Sequence, residues 1–303
     1  MAKGFGDLML ELGAKYDNLV AVCPEAAFGG SREFAQRYPG RLIQVGIAEQ
    51  NAVGIAAGLT LRGKMAFVCG AAPFVTMRCY EQIRDDVVYN HCNVKIVASR
   101  CGGIVFAAYG TTHHLLEDLA IMRVLPGMIV VLPADMVELE GALYAVAERP
   151  GPAYICCDDR PPPSLGDPPF ELGKARLLRQ GKDVALVAAG LAVQQALLAA
   201  DLLAERGVSC AVVSLHTIKP IDEDAILGLA RDCGRIFTVE ERNVFAGLGG
   251  AVCEVVAGQG LAVKVTRLGL QDTFAEEIGS YQELQEHYGL SAGKIADSVL
   301  TGL

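Results

Sequence analysis

The chain reads as α/β: two doubly wound domains, each a mostly parallel sheet wrapped by helices. Three observations predict this. Short apolar runs alternate with helix-period patterns from end to end. A proline-dense stretch divides that alternation in two, and 303 residues exceed what one core usually holds. With 52% apolar residues there is material for two cores.

Taken in order, residues 1–16 form an amphipathic helix. Strands are expected at 19–23, 66–70, 94–99, 128–132 and 153–157, with helices near 46–62, 74–90, 115–124 and 135–148 between them. Five prolines in 160–170 (RPPPSLGDPPF) each remove a backbone donor and fix φ, so this stretch suits neither a helix nor a central strand. It is read as a linker. A second unit follows, with strands at 184–189, 209–215, 235–239 and 262–267 and helices near 192–206, 222–232 and 247–257. The expected organisation is a first domain over 1–160, a linker over 161–174 and a second domain over 175–303.

Composition narrows the partners. A net charge of −9 leaves nothing to neutralise a phosphate backbone or an anionic membrane surface, so neither nucleic acid nor membrane is expected. No run of about 18 apolar residues occurs, and the N-terminus lacks the layout of a signal peptide; the reading is cytoplasmic. The 10 cysteines are scattered through apolar runs without a Cys-x-x-Cys pair, which suits reduced buried thiols. The 5 histidines have no helical metal-ligand spacing, so no metal site is expected from this chain.

Five stretches carry candidate chemistry. In 44–63 (QVGIAEQNAVGIAAGLTLRG) small residues recur as on a helix packed closely against another, and Glu49 stands at its start. An ionised carboxylate there is either a first-turn residue favoured by the helix dipole or a functional group held in an interface. Phe74, Met77 and Tyr80 follow at three-residue steps, on one face of a helix beyond a strand's carboxyl end; the choice is between core and a stacking surface for a flat ring. The loop 101–116 holds paired glycines, two threonines, Tyr109 and His113-His114, where a histidine could titrate near neutrality. Asp158, Asp159 and Arg160 close the last strand of the first domain, as a site edge or a structural ion pair. Gly247-Leu248-Gly249-Gly250 opens a helix and could cradle phosphate, but lacks the full dinucleotide spacing; close packing is the better reading.

Together the runs GIAEQN, APFVTMRCYEQIRDDV, YGTTHHLLEDLAIMRVLPGMIVVLPAD, GPAYI, LHTIKPID and EERNVFAGLGGAV, in that order, resemble the carboxy-terminal half of transketolase. Deoxyxylulose-phosphate synthase and the beta subunits of 2-oxo-acid dehydrogenases share this layout. The resemblance implies a pyrimidine-binding fold, a transketolase-type C-terminal domain, and thiamine diphosphate as cofactor. Glu49 matches the glutamate that hydrogen-bonds a ring nitrogen of the aminopyrimidine and favours its imino tautomer. Phe74 and Tyr80 match aromatics that pack on the pyrimidine, with Met77 in place of an aromatic between them, and Glu25 stands where a cofactor-side aspartate is common. His113 matches a histidine facing substrate oxygens and is a catalytic candidate with Glu49. The resemblance makes Cys101, Tyr109, His113, His114, Asp159 and Arg160 the substrate-binding candidates.

Departures and one absence sharpen this. No Gly-Asp-Gly of the family's diphosphate and magnesium site occurs, so an N-terminal subunit must supply that half and most of the magnesium contacts, in an expected heterotetramer. Where split transketolases usually read Gly-Glu-Asp-Gly-Ala-Thr-His-Gln, this chain has Ala107 to His114 as AAYGTTHH. Cys101 replaces an expected histidine, and Asp159 falls on an expected arginine, with Arg160 one residue late. Those cations usually hold a sugar phosphate, and an aspartate repels one. Ketol transfer between a ketose and an aldose, or their phosphates, is the leading expectation. The alternatives are the same cofactor acting on a 2-oxo acid or unphosphorylated ketose, or a non-catalytic partner subunit.

Overall fold

The computed structural model describes every residue except 1–2, 25–27, 100–102, 159–160 and 167. Its first sheet holds β1 (Leu19–Cys23), β2 (Leu42–Gln44), β3 (Met65–Ala71), β4 (Val94–Ser99), β5 (Ile129–Val131) and β6 (Ala153–Cys157), mutually parallel. The second holds β7 (Arg176–Arg179), β8 (Val184–Ala188), β9 (Cys210–Ser214), β11 (Arg235–Asn243) and β12 (Lys264–Leu270), with only β7 antiparallel. Strands β1, β4, β6, β8 and β9 are buried at every position. Covered on both faces, they appear in sequence as unbroken apolar runs.

One strand crosses between the halves. The expected strand end and helix cap over 215–222 contain β10 (Thr217–Lys219), which lies antiparallel to β5 at the edge of the first sheet. The strand order there is β10-β5-β6-β4-β3-β1-β2, and β12-β11-β8-β9-β7 in the other sheet. Two backbone bonds extend the seam: Leu132 N–H to His216 O at 2.7 Å and Gly190 N–H to Leu132 O at 3.1 Å. Asp222 caps the next helix, Glu223–Cys233, through Ala225 N–H.

The described part of 161–170 forms neither helix nor strand. It is held to the first sheet's helix Met136–Ala147 by a buried cluster. Arg176 donates to Asp135 at 3.0 Å and Glu138 at 2.7 Å, and also to Pro168 O and Gly166 O; Asp135 accepts Leu165 N–H at 2.8 Å. A buried arginine requires such partners, and here they are drawn from the first half and from the linker itself.

The glycine-rich turn before the helix Leu248–Gly258 resolves toward packing. Buried Glu240 accepts the N–H groups of Leu248 at 2.8 Å and Gly249 at 2.9 Å, and a Cβ on Gly247 would lie 2.1 Å from its carboxylate. The protein's own carboxylate takes the place a phosphate would need.

Candidate active site

Three strands of the first sheet, the adjacent β4 and β3 and, beyond β1, the edge strand β2, send their carboxyl ends into the stretches singled out by sequence, where parallel sheets place ligands. After β2 the chain enters the helix Glu49–Thr60, whose Ala52, Val53, Ala56 and Ala57 are buried against the sheet. Glu49 opens this helix at 5% exposure. Glu49 does stand in the helix's first turn, where the dipole favours it, and it also has a side-chain partner. Its recorded bond is to Arg78 Nη1, 2.6 Å from Oε2.

Arg78 follows β3. The helix Ala72–Thr76 carries Phe74, and Arg78 lies one turn further on, so that its guanidinium stands over the Phe74 ring at 4.5 Å. The cation is half-exposed, whereas the carboxylate it meets is buried. Beneath them, Cys79 Sγ bonds Phe74 O at 3.1 Å, and burial, with Glu49 nearby, pushes its thiol up to about 12. It is held as a thiol and serves packing.

The loop after β4 completes the cluster. His113 meets the Phe74 ring edge-on at 5.2 Å, and lies 5.8 Å from Phe106 and 5.3 Å from Tyr109. Thr112 Oγ1 is 2.9 Å from its Nδ1. Glu49, Arg78, Phe74, His113 and Tyr109 thus form a continuous chain of contacts, with Tyr109 at the exposed rim.

Other sequence candidates sit elsewhere. The Tyr80 hydroxyl donates to Ile121 O at 3.0 Å and Met77 is exposed, so the expected three-residue stripe splits. His114 turns inward at 3% exposure, its Nδ1 3.0 Å from Ala275 O, and burial lowers its basicity. Thr111 also donates to Ala275 O, at 2.8 Å, so the second half of the chain straps the His113 loop. Glu25, Cys101, Asp159 and Arg160 lie outside the described residues. Arg78 was missed by sequence reasoning, though its four-residue offset from Phe74 was the available signal.

Can this site accept the cofactor implied by resemblance? Glu49 and Phe74 together already hold a planar, N–H-donating cation, one accepting its N–H and the other lying beneath its central carbon. A protonated aminopyrimidine has the same chemistry, so the donor set fits. Among the described residues no helix is long and apolar enough to cross a membrane.

This is a parallel-sheet fold with a buried carboxylate and an aromatic face at the sheet's carboxyl edge, and comparison with known proteins gives it a family. Residues 1–160 match the model for the transketolase pyrimidine binding domain and residues 173–295 that for the transketolase C-terminal domain. The chain belongs to the transketolase family. It is 39% identical to a putative transketolase C-terminal section of Methanocaldococcus jannaschii, over 99% of this chain and 95% of that one. It is 40% identical to a 6-deoxy-6-sulfo-D-fructose transketolase subunit of a Clostridium species, over 95% and 90%. A solved split-gene transketolase, described as an inactive beta4 tetramer, superposes with a TM-score of 0.86 at 36% identity, covering 98% of this chain and 95% of that one.

Proposed function

We propose that this chain is the pyrimidine-side subunit of a split, thiamine-diphosphate-dependent transketolase, transferring a two-carbon ketol unit from a ketose to an aldose or their phosphates. The observation that carries the reading is Glu49, a buried carboxylate at a helix start whose partner is a planar cation lying over the Phe74 ring. The proposed domains are 1–160 and 175–303, joined by 161–174. An N-terminal subunit supplies the diphosphate side and the magnesium contacts, and two copies of each chain form a heterotetramer. Free cysteines that are mostly buried suit the cytoplasm.

The cofactor, when bound, supplies the electron sink for the two-carbon unit. Glu49 accepts an N–H from the aminopyrimidine ring nitrogen, a charge-assisted bond strengthened by burial. Phe74 offers its face to the ring, and Tyr80 fixes the helix behind it through Ile121. Glu25 is retained as a cofactor-side contact. His113 is placed to move a proton to or from a substrate oxygen at the wall, with its ring held between Phe74 and Tyr109. Tyr109, Cys101, Asp159 and Arg160 face the substrate in this reading. His114, an expected substrate contact, is assigned instead to anchoring the loop, because its ring is buried against Ala275 O.

The substrate's tail is the open variable. Asp159, on the position of a phosphate-holding arginine, favours a ketose not gripped by a cation there, and one relative is named for a sulfonated sugar. The test is ketol transfer by this chain co-expressed with the reading frame beside its gene, given thiamine diphosphate and magnesium. Xylulose 5-phosphate, sulfofructose and unphosphorylated xylulose serve as donors. Turnover of any donor that vanishes in Glu49→Ala supports the reading; absence of cofactor binding with any partner sinks it.

A further inference from the structure

We propose that Arg78 and the cofactor's aminopyrimidine compete for one place, so that the Arg78 guanidinium must leave Glu49 and Phe74 before the ring can occupy them. This rests on the cofactor reading above and adds to it a residue that neither the family pattern nor the sequence assigned.

The geometry carries the argument. Arg78 makes two contacts at once: Nη1 to Glu49 Oε2 at 2.6 Å, and its Cζ over the Phe74 ring, 4.5 Å from the centroid. These are the two groups, a carboxylate and a ring face, that Glu49 and Phe74 would offer an aminopyrimidine. One ring face cannot hold the guanidinium and the pyrimidine at once, and Oε2 is already engaged. The pair is also asymmetric. Glu49 is fixed and buried, whereas the Arg78 side chain is 44% exposed. In the isolated chain Arg78 can therefore move into water at little desolvation cost, and Glu49 cannot. While it stays, it gives the buried carboxylate the partner that burial demands; when it leaves, the incoming ring must supply an equivalent N–H. A heterocycle without that donor would leave Glu49 buried and unpaired, so Arg78 sets a threshold that selects for planar, N–H-donating ligands.

The test is equilibrium binding of thiamine diphosphate to this chain assembled with its diphosphate-binding partner, by calorimetry. Arg78→Met and Arg78→Lys are compared with wild type. Removing the competitor in Arg78→Met makes binding about tenfold tighter, the combined worth of one partly exposed ion pair and one cation–π contact. Arg78→Lys, charged but not planar, falls between. A thiazole phosphate that lacks the pyrimidine ring serves as control and binds wild type and Arg78→Met equally, which a general loosening of the fold would not produce. Unchanged or weaker thiamine diphosphate binding in Arg78→Met overturns the proposal, the weaker case making Arg78 a cofactor ligand. If wild type binds neither compound, the cofactor reading fails and takes this inference with it.

Discussion

Two carboxylate–arginine pairs in this molecule look alike in a list of contacts and differ in everything that matters. In the seam between the halves, Asp118 is fully buried and receives Arg242 through two bonds, Nε at 2.7 Å and Nη2 at 3.0 Å. The Tyr154 hydroxyl adds a third at 2.7 Å, and Arg242 Nη2 also reaches Cys156 Sγ at 3.1 Å. Glu49–Arg78 has one bond, and its cation is half in solvent. A closed, multiply bonded pair between distant segments holds the architecture, since neither member can be rehydrated without opening the protein. A single bond to a half-exposed cation can be exchanged for another donor, and exchange is what a cofactor site needs.

The largest effect should come from breaking the seam. Arg242→Met leaves Asp118 buried with only Tyr154 as a hydrogen-bonding side chain among the described residues, and should cost about 3–5 kcal/mol of stability, read from urea unfolding midpoints. A loss under about 1 kcal/mol would mean that the seam admits water and that the contrast drawn here is wrong. The opposite profile is expected at the exchangeable pair. Glu49→Gln keeps the side chain's shape and should change stability by no more than about 1 kcal/mol, while ketol transfer falls by about a hundredfold or more. Equal losses of stability and activity would make Glu49 another structural acid.

How much of this contrast could be read from the chain itself differs between the two places. Glu49, Phe74 and His113 each follow a strand's carboxyl end and sit in local patterns, so their candidacy was legible. Arg78 lies in the turn just beyond Phe74's helix and could have been read from its offset to Phe74. The seam could not. Asp118 and Arg242 are 124 residues apart, and no local period links them. Likewise β10 is a three-residue strand whose only local signal is Thr217-Ile218-Lys219, and its partner β5 is chosen by the tertiary arrangement. The long parallel strands were legible because full burial makes them continuous apolar runs. Short strands 42–44 and 176–179, with mixed burial, went unrecognised for the converse reason.

A third, smaller effect sharpens the seam by pH. Glu241, buried beside the closed pair, accepts from the Tyr281 hydroxyl and from Gln285 Nε2 at 3.1 Å; burial pushes its carboxyl up to about 7 from an ordinary 4.5. Between those two values the folded chain holds a proton that the unfolded chain releases, so this group's contribution to stability falls as pH rises. Its loss should be on the order of 3 kcal/mol between pH 4.5 and 7.5. Glu241→Gln, which cannot titrate, should flatten that part of the profile. A wild-type curve no steeper than the variant's would place water at this carboxylate.

The smallest effect tests whether burial alone marks a structural residue. His114 is as buried as Arg242, yet it has one bond, Nδ1 to Ala275 O, and its Nε2 has no partner among the described residues. His114→Phe keeps the ring, deletes that bond and removes the unpaired nitrogen. The lost bond is worth about 1 kcal/mol and relief of an unsatisfied buried atom offsets much of it, so the net stability change should be under about 1 kcal/mol. The loop should nevertheless loosen, because only Thr111 then ties it to Ala275. Faster amide exchange confined to residues 106–113, with unchanged exchange in β3 and β4, is the expected signature. Exchange that rises throughout the first sheet would instead show that the strap supports the fold, and would put His114 with Arg242 rather than with Arg78.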